Sequence, residues 1–423
     1  MAAACRLECG CLKAPFRNQF RRSLNIFLIE NATAPRPEDA VTHPWFAGHG
    51  YACVRVDMRG SGESEGLLLD EYTAQELEDA CDVIAWLAEQ PWCDGNIGMM
   101  GISWGGFNGL QVAALNPPAL KAIISICSTV DRYADDIHYK GGCLLIENFG
   151  WAMTMLGYSA RPPDRALVGN KWHQMWRERL TRQPLHLSTW LRHQHRDDYW
   201  KHGSVCEDYG AIKAAVLSIG GWHDGYRNTV SHLVENVEAP VKGIIGPWIH
   251  KYPHIAGPAP VIGFLQEAKR WWDRWLRGKA TGVEQDPAYR AYMMDSLKPK
   301  RWHSVRPGRW IAEAEWPAAG ISPQILHFAV NGSLCDTPVR IDAEICSPQD
   351  CGAQSGEYFP FAYSDEFPGE QSVDDDKSLC FDSPVLDLGW DIVGAPIVHF
   401  TGSSDKSTGQ VAVRLCDLRP DGT

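Results

Sequence analysis

Residues Gly101 to Gly105 read Gly-Ile-Ser-Trp-Gly and follow an apolar run. Small residues on both sides of a serine suit a sharp strand-to-helix turn that lifts the hydroxyl clear of a sheet. Such a serine attacks an acyl carbon if a histidine takes its proton and a carboxylate orients that histidine. The order Ser, then Asp or Glu, then His fits this turn, with acid and base on loops after later strands. Two loops qualify. "LSIGGWHDGY" carries Asp224 and "IIGPWIHKYPH" carries His250. His250 would act as base and then acid, Asp224 would hold its tautomer, and the backbone N–H of Trp104 would supply one oxyanion donor. His254 and His223 compete with His250 for the role of base, because each lies beside one of these loops.

Other chemistry is poorly supported. "DMRGSGES" lacks the glycine spacing of a phosphate loop, so Asp57 and Arg59 read as structural. Serine at the turn argues against a dehalogenase, which needs aspartate there. Cys5, Cys9 and Cys11 have no second ligand set at zinc spacing, so neither a metal nor a cofactor is expected.

The elements that position these residues come from the periodicity. "YACVRVDMRG" is a short buried strand. "TAQELEDACDVIAWLAEQPW" sets Leu77, Cys81, Ile84 and Leu87 at helical spacing. "NIGMMGIS", "LKAIISICS", "AAVLSIGGW" and "VKGIIGPW" are further strands, with "GGFNGLQVAALN" and "IGFLQEAKRWWDRWLRG" as helices. Alternation of this kind implies an α/β fold with a parallel sheet covered on both faces, its pattern opening at His43. Residues 129–208, rich in Trp, Arg, His and Asp, read as a helical cap inserted into it. The divisions are therefore 1–128 (with 1–41 an atypical start), the cap at 129–208, the second α/β part at 209–288, and a β region at 289–423. In that last region "ILHFAVNG", "PIVHFTG" and "GQVAVRLCDLRPDG" predict strands of a sandwich.

Composition sets limits. The chain has 423 residues, 44% of them hydrophobic and 22% charged, which suits a globular protein of two or three domains. A net charge of -12 argues against a nucleic-acid-binding surface, since phosphate contacts need basic patches. No apolar run is long enough to span a membrane, and the N-terminal segment lacks the order of a signal peptide. Fourteen scattered cysteines, with Cys53, Cys81, Cys127 and Cys416 inside apolar segments, suggest a reduced, cytoplasmic setting.

"RVDMRGSGESEG", "QPWCDGNIGMMGISWGGFNG", "GGWHDGY" and "GPWIH" resemble, in order, the motifs of the cocaine esterase and X-prolyl dipeptidyl-peptidase superfamily. The likeness runs from about Thr42 to the C-terminus. It implies an α/β-hydrolase core, a helical cap and a C-terminal jelly-roll β domain. It also implies a nucleophile at Ser103, an acid at Asp224, a base at His250 and an acyl-pocket aromatic at Tyr226. The substrate class it implies is an ester, an amide or a short peptide cleaved after proline. Two departures stand out. The family completes its oxyanion hole with a tyrosine near the start of the domain, and this chain has none before Tyr51, leaving His43 or Trp45 of "THPWFAGHG" as substitutes. The jelly roll is expected to be incomplete, which would leave edges open to self-association and makes an inactive or weakly active scaffold the alternative function.

Overall fold

The computed structural model describes residues 7–9, 24–30, 37–361 and 365–423, with side chains from Thr42 onward. A nine-stranded sheet forms its centre. In chain order the strands are β1 (Leu7–Cys9), β2 (Leu24–Glu30), β3 (Tyr51–Val56), β4 (Cys93–Ile102), β5 (Leu120–Ile126), β6 (Ala215–Gly221), β7 (Val241–Gly246), β8 (Tyr289–Met294) and β9 (Gly308–Glu313). Across the sheet they run β1-β3-β2-β4-β5-β6-β7-β8-β9. The edge pairs β1–β3 and β8–β9 are antiparallel, and every other pair is parallel.

Both faces of the central strands are buried, as a parallel sheet requires. Successive residues alternate between two apolar clusters. Met100, Ile102, Ala122, Ile124, Leu217 and Ile219 face one side. Ile97, Met99, Ile123 and Val216 face the other. Helix α1 (Pro37–Gly48) and helix α7 (Phe264–Trp275) cover the first side through Phe46, Trp271 and Trp272. A Cβ on Gly98 would lie 2.6 Å from the Trp272 ring, so only glycine lets that indole lie on the sheet backbone. Helices α2 (Ala74–Ala88), α3 (Trp104–Ala114) and α6 (Thr229–Asn236) cover the second side. Thr73 caps α2 by accepting the Glu76 N–H at 3.2 Å. Leu77, Ile84 and Leu87 are its buried stripe, each contributing about 1.5–3 kcal/mol by leaving water.

Between β5 and β6 the chain forms helices, chiefly α4 (Glu147–Ser159) and α5 (Trp172–Arg182). An aromatic cluster of this insertion, Tyr139, Trp190 and Trp200 with Met155 of α4, closes over Trp104, Phe107 and Tyr226.

Three expectations are corrected. The α/β pattern does not open at His43: Leu24–Glu30 is a parallel strand between β3 and β4, and its Ile26–Ile29 sequence is the apolar kind that central parallel strands carry. Tyr289–Met294 and Gly308–Glu313, read as the start of the β region, extend the central sheet. Beyond them, the described residues form one further strand pair, His327–Phe328 with Leu334–Cys335. Residues 385–418, within the stretch where an incomplete jelly roll is expected, contain no strand. Strand-type sequence stays unpaired where no neighbouring ladder or facing sheet receives it. Cys416, expected inside, is exposed in that same segment, whereas Cys53 and Cys127 are buried.

Candidate active site

The carboxyl ends of β4, β5, β6 and β7 meet at one place. Ser103 stands between β4 and α3 with φ 59° and ψ −128°, in a region that costs a non-glycine residue about 1–3 kcal/mol. Its backbone is held by a bond from its N–H to Ile126 O at 2.9 Å and one from Phe107 N–H to its carbonyl at 2.9 Å. The flanking glycines are needed for contact. A Cβ on Gly101 would lie 2.4 Å from the Gly105 backbone, and one on Gly106 would lie 2.7 Å from Ile126 O. As the first residue of α3, Trp104 has an N–H that the helix ladder does not use. Its indole donates to Glu76 Oε1 at 2.8 Å, as does Asn108. Burial pushes the Glu76 carboxyl up to about 7 against those two bonds.

The loops after β6 and β7 are laced together. Trp222 N–H donates to Gly246 O at 2.9 Å, and His223 N–H donates to Trp248 O at 3.0 Å. A Cβ on Gly221 would lie 2.0 Å from Trp248 O, so the approach depends on that glycine. Asp224 is fully buried, and its Oδ1 lies 3.0 Å from His250 Nδ1. The Tyr226 N–H also donates to that oxygen at 3.3 Å. Burial would raise the Asp224 carboxyl, but the His250 charge and the bonds from His250, Cys127 and Tyr226 bring it below the usual carboxylate range.

Of the rival histidines, His223 stacks on Phe367 with ring centroids 4.2 Å apart, and burial pushes its pKa down to about 3. His254 stacks on Phe264 at 5.5 Å. Of the three histidines, His250 is the one in contact with the Asp224 carboxylate. Ser103 and His250 share no hydrogen bond; Phe107, whose N–H bonds the Ser103 carbonyl, packs on Tyr226 at 5.0 Å, and Tyr226 lies 5.8 Å from His250 between ring centroids. Phe359, from beyond the central sheet, packs its edge on His250 at 4.8 Å and on Tyr226 at 4.9 Å. Trp45 packs on Phe46 and His49, in the core beneath α7. The loop after β2, residues 31–36, lies outside the described residues.

Several groups here had no local signal in sequence. Tyr226 Oη donates to Asp136 Oδ1 at 3.1 Å, and burial pushes the Asp136 carboxyl up to about 7. Glu71 receives His138 Nε2 at 2.6 Å, Trp151 Nε1 at 2.8 Å and Arg132 at 3.5 Å, joining the loop before α2 to the cap. Burial would raise the Glu71 carboxyl, but the His138 and Arg132 charges hold it at about 2. The same pairing raises His138 against the effect of its burial. Asp57 and Arg59 do hold their loop. Asp57 accepts the Glu63 N–H at 3.1 Å, and Arg59 pairs Asp79 through two bonds of 2.7 and 2.6 Å.

Comparison with known proteins places the chain. The model of the X-Pro dipeptidyl-peptidase (S15 family) matches residues 29–252, more than half the chain. The chain belongs to the S15 family. A second model, the X-Pro dipeptidyl-peptidase C-terminal non-catalytic domain, matches residues 281–423 of this S15 chain. Cocaine esterase of Rhodococcus sp. (strain MB1 Bresler) is 26% identical, over 89% of this chain and 71% of that protein. A putative Xaa-Pro dipeptidyl-peptidase of Bacillus cereus is 22% identical, over 88% of this chain and 62% of that protein. Among solved structures, a CocE/NonD family hydrolase from Staphylococcus aureus superposes with a TM-score of 0.55 at 20% identity, over 75% of this chain and 55% of that one. An α-amino acid ester hydrolase gives a TM-score of 0.54 at 18% identity, over 81% of this chain and 64% of that one. These likenesses establish the α/β-hydrolase fold, and the family is one of serine hydrolases. No helix among the described residues is long and apolar enough to cross a membrane.

Proposed function

We infer that this S15 chain cleaves an ester or amide bond, X-Pro peptide bonds included, through an acyl-enzyme formed on Ser103. One observation carries the reading: the buried Asp224–His250 contact of 3.0 Å, made by loops at the carboxyl ends of β6 and β7, beside a serine held at positive φ at the end of β4. His250 takes the Ser103 proton as Oγ bonds the acyl carbon. It then returns the proton to the leaving alcohol or amine, and water repeats the cycle to free the acid. Asp224 holds Nδ1–H and stabilises the imidazolium. The Trp104 N–H donates to the oxyanion. Phe107, Tyr226 and Phe359 give the acyl side a ring-lined apolar wall, which favours flat or branched apolar acyl groups.

A second reading is a folded scaffold without turnover. It is supported by the lack of a Ser103–His250 hydrogen bond, although such contacts commonly tighten only with substrate. A panel of p-nitrophenyl esters and X-Pro-p-nitroanilides decides between them. Turnover that falls about 10⁴-fold or more in Ser103→Ala, His250→Ala and Asp224→Asn supports the triad. Absence of turnover on every substrate supports the scaffold. One oxyanion donor without a partner would lower kcat by roughly 100- to 1,000-fold, so full family-like rates would require a second donor.

A further inference from the structure

The end of β5 brings a third group against the acid–base pair. Cys127 directly follows β5, is buried, and has φ 49° with its N–H donated to Ile219 O at 2.9 Å. Its Sγ, a carboxylate oxygen of Asp224 and a ring nitrogen of His250 all lie within 4.8 Å of one another. Asp224 spends Oδ1 on His250 and on the Tyr226 N–H, while its buried Oδ2 has no partner stronger than the weak thiol donor of Cys127. A buried carboxylate oxygen left without a partner is costly, and the weak donor S–H is a poor remedy.

We propose that Cys127, Asp224 and His250 form an inhibitory site for a thiophilic divalent cation, Zn²⁺ or Cd²⁺. The inhibitory role rests on the reading of Asp224 and His250 as catalytic. One thiolate, one imidazole and one carboxylate form a mixed S/N/O set that suits these ions. On binding, the Cys127 thiol proton leaves to solvent and an S–metal bond replaces the S–H bond. Thiolate and carboxylate then neutralise the dication, so no net charge is buried. Metal bonds of ~2.0–2.3 Å can bridge the three atoms once the side chains close by about 1 Å. A metal on His250 takes the lone pair or the Asp224 contact that a general base needs, so acylation of Ser103 stops. The groups are largely enclosed, with His250 8% exposed, so inhibition sets in slowly.

The test uses the intact chain. One equivalent of Zn²⁺ is added and the zinc-edge X-ray absorption is recorded, which reads the ligands without a variant. One sulfur with nitrogen and oxygen neighbours is expected; no sulfur, or two or more, overturns the site. In parallel, fluorophosphonate labelling of Ser103 is timed against Cd²⁺ in wild type, Cys127→Ser and Cys127→Ala. Labelling of the wild type should slow at least tenfold and recover with EDTA, and either variant should need at least tenfold more Cd²⁺. Equal sensitivity of wild type and a folded variant overturns the proposal. Failure of the triad reading shows separately, as no labelling before any metal is added.

Discussion

Two stretches of nearly the same pattern have opposite fates. Residues 51–56 read YACVRV and residues 410–415 read QVAVRL. The first is β3, with Tyr51 and Val54 each 2% exposed between two ladders. The second forms no strand, and Val411, Val413 and Leu415 are 65%, 57% and 64% exposed. Alternation and β-branched residues are alike in both. What differs is whether neighbouring strands and covering helices receive them. β-Propensity here measures fit to a half-buried surface rather than a preference of the backbone itself. The same contrast bears on the candidate site, which grows from strand ends that the sheet fixes, while the C-terminal region reaches it through Phe359 and its neighbours.

Mutation should sharpen this contrast most in the sheet. Trp272→Ala removes an indole pressed on Gly98 and should cost about 3–5 kcal/mol in denaturant unfolding. Val413→Ala should stay within about 0.5 kcal/mol. Comparable losses at the two positions would show that the outer segment is packed after all.

Glu71→Ala should come next, at about 3–5 kcal/mol, because it leaves His138 and Arg132 buried without their anion. Its pH signature follows from the two shifts. Glu71 is lowered to about 2, so its contribution is complete above its ordinary 4.5 and is lost as pH falls from there toward 2. His138 is raised, so its contribution is complete below its ordinary 6.5 and is lost as pH rises through its elevated folded value. Melting temperatures should therefore peak between these limits, and His138→Gln should flatten the alkaline side. An unchanged alkaline slope in that variant would remove His138 from the account.

Hydrogen exchange should be slow in β4 and β5 and fast through residues 385–418. Uniform protection would contradict the comparison. The smallest effect expected is on catalysis by Phe359→Ala, which removes ring contacts worth about 0.5–1.5 kcal/mol from His250 and Tyr226. It should lower kcat/KM by roughly tenfold or less, and no change would detach the C-terminal region from the site.

Much of the candidate site was legible because its constraints are local. Gly101, Gly105 and Gly106 announce a backbone approach, and Asp224 and His250 follow apolar runs that could only be strands. The groups around them were not. Glu71 meets Arg132 and His138 across gaps of 61 and 67 residues, so no window contains both partners. Cys127 reads as a small hydrophobe because only the fold brings β5 beside the β6 loop. Leu24–Glu30 carries a readable apolar run, obscured by the polar sequence around it. Tyr289–Met294 is a short strand-type run after the last helix, and sequence alone does not say which sheet such a run joins.

The most direct test of the central claim is covalent labelling by a fluorophosphonate probe, followed by peptide mapping. It needs an activated serine and no knowledge of the substrate. The account predicts one labelled peptide, containing Ser103, with labelling abolished in Ser103→Ala and slowed by about 10⁴-fold or more in His250→Ala. An unlabelled wild-type chain, or label that persists in Ser103→Ala, would contradict it.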